Sequence, residues 1–280
     1  MAKRALLIGI NKYQMAGADL RGCVNDVKDL SAALVEFSGF KTGDITVLTD
    51  GEATTKAMQA GVKKLVRESK KGDVVLLHYS GHGSNVPDDD NKDEADGRDE
   101  ILCPTDLDWN KPMRDDWLRT TFDGLRAGVG FTVIMDCCHS GTNTRAILPP
   151  DAPMKERYLP SPWGLAAVES GRSLPKKVTS ELRRTPRAAR KANDIVNAEL
   201  PEVLVTGCRD TQTSADAFIN GRYNGALTFA LVEAIRQSKG RLTYRDLHSR
   251  ASVVLKKRKF DQVPQLEGRA ANFDRTLFSL

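Results

Sequence analysis

Five short runs of contiguous apolar, largely β-branched residues punctuate this chain: RALLIGI (4–10), DITVLT (44–49), DVVLLHYS (73–80), FTVIMDC (131–137) and VLVTGC (203–208). Most are continuous rather than alternating, the pattern of parallel strands covered on both faces. Segments with helical spacing lie between them. In Val24–Phe37, for example, Val24, Val27, Leu30, Leu34 and Phe37 recur every three or four residues. Thr54–Ser69, Asp115–Leu125, Gly225–Ser238 and Leu242–Lys257 read the same way, with Thr243 placed to cap the last helix. Strands alternating with helices predict an α/β fold with a mainly parallel central sheet flanked by helices, in three layers. Such sheets carry their active sites at the carboxyl ends of the strands. One stretch interrupts the rhythm. From Thr142 to about Leu200 there are seven prolines and no sustained apolar period, which predicts one long loop.

Composition narrows the function classes. The 280 residues are 40% hydrophobic and 28% charged, an ordinary globular mixture rather than a fibrous or disordered one. No apolar run approaches the roughly 18–20 residues of a membrane helix, and the hydrophobic stretch of MAKRALLIGINKY is short for a signal peptide. A cytoplasmic location without a membrane partner is expected. Five irregularly spaced cysteines (Cys23, Cys103, Cys137, Cys138, Cys208) argue for reduced thiols rather than a disulfide framework. The net charge of +5 is unevenly spread. Residues 171–191 hold Arg172, Lys176, Lys177, Arg183, Arg184, Arg187, Arg190 and Lys191 against Glu181, net +7, which leaves −2 for everything else. Residues 88–100 hold eight carboxylates against Lys92 and Arg98, readable as a solvated loop or a cation site.

Two strand ends carry the chemistry. LLHYSGHGS sets His82 between glycines, and VIMDCCHSG sets two cysteines and a histidine at the equivalent point of another strand. An imidazole that handles the proton and a thiol that attacks as thiolate are the minimum apparatus of cysteine nucleophilic catalysis. Glycine lets a substrate backbone approach and leaves amide N–H groups to hold an oxyanion. Strand alternation separates Cys137 from Cys138: Asp136 and Cys138 share a face, as do Ser80 and His82, so these four can converge and Cys138 is the expected nucleophile. Metal ligation by Cys137, Cys138 and His139 fits less well, because adjacent strand residues diverge and no second Cys pair exists. His78 is expected to be a satisfied core histidine, and His248 a surface residue.

With HYSGHGS and DCCHSG in place, 56 residues apart from His82 to Cys138, the chain resembles the metacaspases and their bacterial relatives, the orthocaspases, within the caspase-like cysteine peptidases. RALLIGINKY, LRGCVNDV, DEILCPTD, VLVTGCRDTQTSADA and PQLEG extend the resemblance over nearly the whole chain. The Q-A-C-[RQG]-G pentapeptide of Asp-directed caspases is absent. The resemblance implies a dyad of His82 and Cys138, with an oxyanion hole made by the backbone amides of Gly83 and Cys138. It implies cleavage of protein or peptide substrates after Arg or Lys, with the basic side chain held by Cys23, Asp26, Ser80 and Asp136. Such a cation leaving water needs carboxylate partners. Asp26 also sits where a helix N-terminus favours an anion, and both roles are compatible.

The resemblance further implies calcium activation through Asp99, Asp115 and Asp116, oxygen donors suited to a hard cation. A fourth acidic position of the family is Arg145 here, a departure from that ligand set. It also implies a single caspase-like domain over 1–280: a large-subunit-like part (1–145), a processing linker (146–198) and a small-subunit-like part (199–280). An Arg/Lys-specific peptidase with a basic linker is a zymogen expected to cut itself between Arg172 and Lys191. The linker's other readings are a solvated tether or a nucleic-acid arm. No nucleic-acid partner is expected, and the protein is expected to be a monomer. Alternatives for the whole are a caspase-like peptidase of other specificity and a catalytically silent scaffold presenting the basic linker.

Overall fold

The computed structural model describes residues 1–88, 97–138, 153–169, 203–209 and 212–280. In chain order its elements are β1 (Lys3–Gly9), α1 (Cys23–Phe37), β2 (Ile45–Thr49), α2 (Thr55–Glu68), β3 (Val74–Ser80), β4 (Gly83–Pro87), β5 (Arg98–Leu102), β6 (Met113–Arg114), α3 (Asp115–Phe122) and β7 (Gly130–Asp136). They continue with β8 (Met154–Glu156), α4 (Pro162–Glu169), β9 (Val203–Thr206), β10 (Ala215–Ile219), β11 (Arg222–Gly225), α5 (Ala226–Ser238), α6 (Tyr244–Lys257) and β12 (Gln265–Gly268). All five apolar runs become strands of one six-stranded sheet in the order β12-β9-β7-β3-β1-β2, parallel except for the β12 edge. The continuous runs have the expected cause: β3 and β7 are buried along their whole lengths.

Alternate residues of the strands feed two cores. Ala5 and Leu7 face α1, α5 and α6, where Val27, Leu30, Leu34, Leu231 and Leu247 pack. Leu6, Ile8 and Ile10 face α2 and α3, where Met58, Val62, Leu118 and Phe122 pack. Thr243 caps the last long helix as expected and Thr54 caps α2, whereas α1, α3 and α5 begin without a side-chain cap. Thr54 Oγ accepts from Ala57 N at 3.2 Å, and Thr243 forms a reciprocal capping box with Asp246.

Parallel register brings the carboxyl ends level, with Gly9 beside Ser80 and Ser80 beside Asp136. Two small sheets frame this edge, β4-β5-β6 on one side and β11-β10-β8 on the other. Neither is evident from periodicity, because both are built from short, partly polar strands. The segment expected to be one long loop is likewise corrected by the structure. Residues 153–169 contain β8, which pairs antiparallel with β10, and α4, whose Trp163 meets Trp109 edge to face at 6.3 Å. The strand lacks an apolar period because it is held by its backbone and by one arginine. Among the described residues no helix is long and apolar enough to cross a membrane.

Candidate active site

His82 lies in the two-residue connection from β3 to β4, and Cys138 lies two residues past the end of β7. Gly81 is required here by space: a Cβ would sit 2.6 Å from Tyr79 Oη and 2.9 Å from Tyr13 Oη. Those two hydroxyls fix His82, whose N–H donates to Tyr13 Oη at 2.8 Å while its carbonyl accepts from Tyr79 Oη at 2.7 Å. Burial drives the imidazole down to about 4, so it is neutral at pH 7. Its Nε2 lies 2.7 Å from the Ala18 carbonyl, an acceptor only, which assigns the proton to Nε2 and leaves Nδ1 as the basic nitrogen. Nδ1 is buried without a hydrogen-bond partner. Burial likewise pushes the Cys138 thiol well above the usual range, with the neighbouring Cys208 adding to the shift. Its sulfur lies 3.3 Å from Cys208 Sγ and against the amide of Ser214. Cys137 points away into the α2/α3 core, as alternation required.

The expected specificity residues converge, and the chain's own Arg157 fills the space between them. Its guanidinium is completely buried. Nη2 lies 2.8 Å from Asp26 and 3.1 Å from Asp216, and Nη1 lies 3.2 Å from Asp136 and donates to Ser80 Oγ at 2.8 Å. Ser80 passes the bond on to Asp26 at 2.8 Å. Burial opposes the cation, but the carboxylates of Asp136, Asp26 and Asp216 more than offset it and hold Arg157 charged. Burial raises Asp26 to about 7 despite the arginine beside it. Cys23, the first residue of α1, lies fully buried, and burial raises its thiol well above the ordinary range.

The carboxylates are further anchored by backbone. Asp26 accepts from Gly225 N at 2.9 Å, Asp216 from Gly22 N at 2.8 Å, and Asp136 from Thr228 N at 2.8 Å. Thr228 gives its hydroxyl proton to Asp136 at 2.7 Å, so it can only accept from His78 Nε2, 3.2 Å away. His78 is therefore buried as expected but only half satisfied: Nε2 is bonded, while Nδ1 is buried without a partner. His248, expected at the surface, is half-buried and bonds the Pro264 carbonyl at 2.9 Å.

The Arg157 carbonyl oxygen is equally placed. It accepts from Gly83 N at 3.0 Å and Cys138 N at 3.2 Å, the two amides expected to form an oxyanion hole. Three participants are not singled out by the sequence: Asp216, Arg157 and the Thr228 prop. Asp216 stands inside the TSADA motif, whereas Arg157 lies outside the basic run and carries no signal.

The expected calcium ligands are not assembled into a cation site. Asp99 is ion-paired with Arg114, and Asp115 and Asp116 each lie 3.3 Å from Arg119. Among the described residues no group of three or more His, Cys, Asp or Glu side chains converges as metal ligands would. These residues do not fit a calcium ion as they stand. His139, Arg145 and the candidate processing residues from Arg172 to Lys191 lie outside the described residues.

A three-layer α/β fold with an imidazole, a thiol and two convergent amides at the carboxyl edge defines the class of caspase-like cysteine peptidases. The chain belongs to the metacaspase family. The family model "Metacaspase, peptidase C14 domain" matches residues 3–146. Metacaspase-1B of Neosartorya fischeri is 34% identical over 94% of this chain and 68% of its own length. Metacaspase-1 of Pyricularia oryzae is 34% identical over 94% of this chain and 71% of its own. In structure the chain is similar to protein GSU0716 from Geobacter sulfurreducens, with a TM-score of 0.69, 27% identity, and coverage of 100% of this chain and 99% of that one. The protein is thus a cysteine-type endopeptidase.

Proposed function

We propose that this peptidase cleaves after Arg or Lys, with Cys138 as nucleophile and His82 as the acid–base. One observation carries the reading: a complete arginine, Arg157, has its guanidinium among Asp26, Asp136, Asp216 and Ser80 while its carbonyl oxygen accepts from the Gly83 and Cys138 amides. A substrate residue held at both ends in this way would present its carbonyl carbon beside the thiol. Nδ1 of His82 takes the thiol proton as sulfur attacks. The oxyanion forms against the two amides, and the imidazolium gives its proton to the leaving amine. Water, deprotonated by the same nitrogen, then releases the acid and the free thiol. Self-processing in the basic segment from Arg172 to Lys191 belongs to the same reading, since each of its basic residues matches the pocket's charge.

The test is a matched peptide panel with Arg, Lys, Asn or Asp before the reporter bond, run on wild type and Cys138→Ala. Turnover of Arg and Lys peptides only, absent in the variant, is expected. Equal turnover of Asp or Asn peptides refutes the specificity, and activity surviving in Cys138→Ala refutes the nucleophile.

A further inference from the structure

The geometry points to the Arg157–Tyr158 bond as a substrate of this chain's own active site: we infer that it is the first bond the peptidase cuts in itself, in cis, and that Arg157 keeps the pocket closed to other substrates until then. The inference rests on the Arg/Lys specificity and names a bond upstream of the basic run.

The segment is threaded through the cleft on both sides of that bond. On the amino side, β8 pairs antiparallel with β10 in the register Met154 to Ala217, Lys155 to Asp216 and Glu156 to Ala215. Arg157 N then donates to the Ser214 carbonyl at 2.9 Å, and Lys155 Nζ reaches the Asp19 carbonyl at 2.9 Å. On the carboxyl side the chain turns onto β4. Leu159 N donates to the Gly83 carbonyl at 2.9 Å, and Ser84 Oγ donates to the Leu159 carbonyl at 2.5 Å. The Leu159 side chain packs with Ala18, Val86 and Ile101. An extended peptide added to a strand edge, with its basic side chain in an acidic pocket and its carbonyl on two amides, is how a peptidase presents a scissile bond. A merely structural arginine would need the charge partners but not the two amides on its carbonyl.

The chemistry balances. The Cys138 sulfur, having swung from its position against Cys208 and Ser214, adds to the Arg157 carbonyl carbon as its proton passes to His82. The bond to Tyr158 nitrogen breaks, and His82 protonates that nitrogen to a free amine. Water hydrolyses the thioester, leaving a carboxylate on Arg157 and the thiol on Cys138.

The experiment is a time course of purified full-length wild type, Cys138→Ala, Arg157→Lys and Arg157→Gln. New termini are read by mass spectrometry, Arg-peptide turnover is followed in parallel, and circular dichroism checks folding. Wild type and Arg157→Lys are expected to yield a fragment beginning at Tyr158 before any other cut, at a rate independent of protein concentration, while Cys138→Ala stays whole. Arg157→Gln is expected to lose that terminus and to hydrolyse Arg peptides without the lag that wild type shows. Arg-peptide turnover by wild type with no Tyr158 terminus, or with one whose rate rises with concentration, overturns the inference and leaves the specificity reading intact. No turnover of any Arg or Lys peptide and no self-cut overturns both.

Discussion

Adding one methyl group at Gly225 tests the pocket most directly. Gly225 has φ −69° and ψ 132°, a conformation alanine accepts, so Gly225→Ala acts through its methyl and not through the backbone. That methyl would overlap Arg157 Nη1 and Asp136 Oδ2 and would lie 2.6 Å from Arg157 Cζ. Ordinary contact between such atoms is about 3.5 Å, so a guanidinium must retreat by roughly 1 Å. Starting from 3.2 Å, that retreat takes Nη1 out of hydrogen-bonding range of Asp136. Disrupting a buried charge pair costs about 3–5 kcal/mol, and even the lower figure corresponds to about a hundredfold in rate. The assay is kcat/KM for matched Arg and Lys peptides, with the rate of Cys138 alkylation by iodoacetamide as a check on the nucleophile. The expected result is about a hundredfold loss for Arg peptides, read on wild type and variant both already cut at Arg157–Tyr158 so that the cleft is open in each, with alkylation unchanged. Arg-peptide kcat/KM within about threefold of wild type, in a variant of unchanged thermal midpoint, would refute the reasoning.

Other outcomes come from the same geometry. Asp216→Asn keeps an acceptor for Gly22 N but removes one of three charges around the guanidinium, so kcat/KM for Arg peptides should fall about tenfold or more, mainly through KM; an unchanged KM would count against the third carboxylate. With Arg157 sealing the cleft, His82 stays neutral down to about pH 4, whereas hydration of the cleared site returns it toward its ordinary ~6.5. Self-cleavage should therefore persist at pH 5, where peptide hydrolysis by processed enzyme has declined, and coincident acid limbs in the two assays would sink this. Buried His78 also titrates at about 4, so between the unfolded ~6.5 and that value only the unfolded chain takes up a proton. Stability present above about pH 6.5 is lost as pH falls toward 4, by on the order of 3 kcal/mol. His78→Gln, which can still donate to Thr228, should flatten that slope in urea midpoints measured at pH 7 and 4.5.

The parallel sheet is legible because burial on both faces writes itself as unbroken apolar runs, and the site because parallel strands must end side by side. Strand parity alone separates Cys138 from Cys137. The small framing sheets are not legible: β8 is three residues, MKE, held by backbone pairing that leaves no mark in side-chain pattern. Arg157 is hidden for a related reason. Its environment comes from Asp26, Asp136 and Asp216, far from it in sequence, and an arginine amid prolines looks like any solvated one. Asp216 is visible only as part of a motif, since its role depends on β10 meeting the start of α1. The density of arginines from 172 to 191 draws attention to composition, where the structure turns on three-dimensional fit.

The place of β9 constrains the outcome of any cut between β7 and Val203. That strand runs parallel to β7 with Val203 beside Thr132, and β12 closes its other side. The central sheet is thus stitched from both halves of the chain, and severing the connection would leave two polypeptides interleaved in one hydrophobic interior rather than two separable domains. The nicked protein would keep its shape, yet its assembly would have become a second-order reaction. An intact chain keeps its two halves joined through unfolding, but nicked ones, once diluted and denatured, would have to find each other again. A cut there would therefore be a one-way commitment, set by connectivity rather than by the strength of any contact.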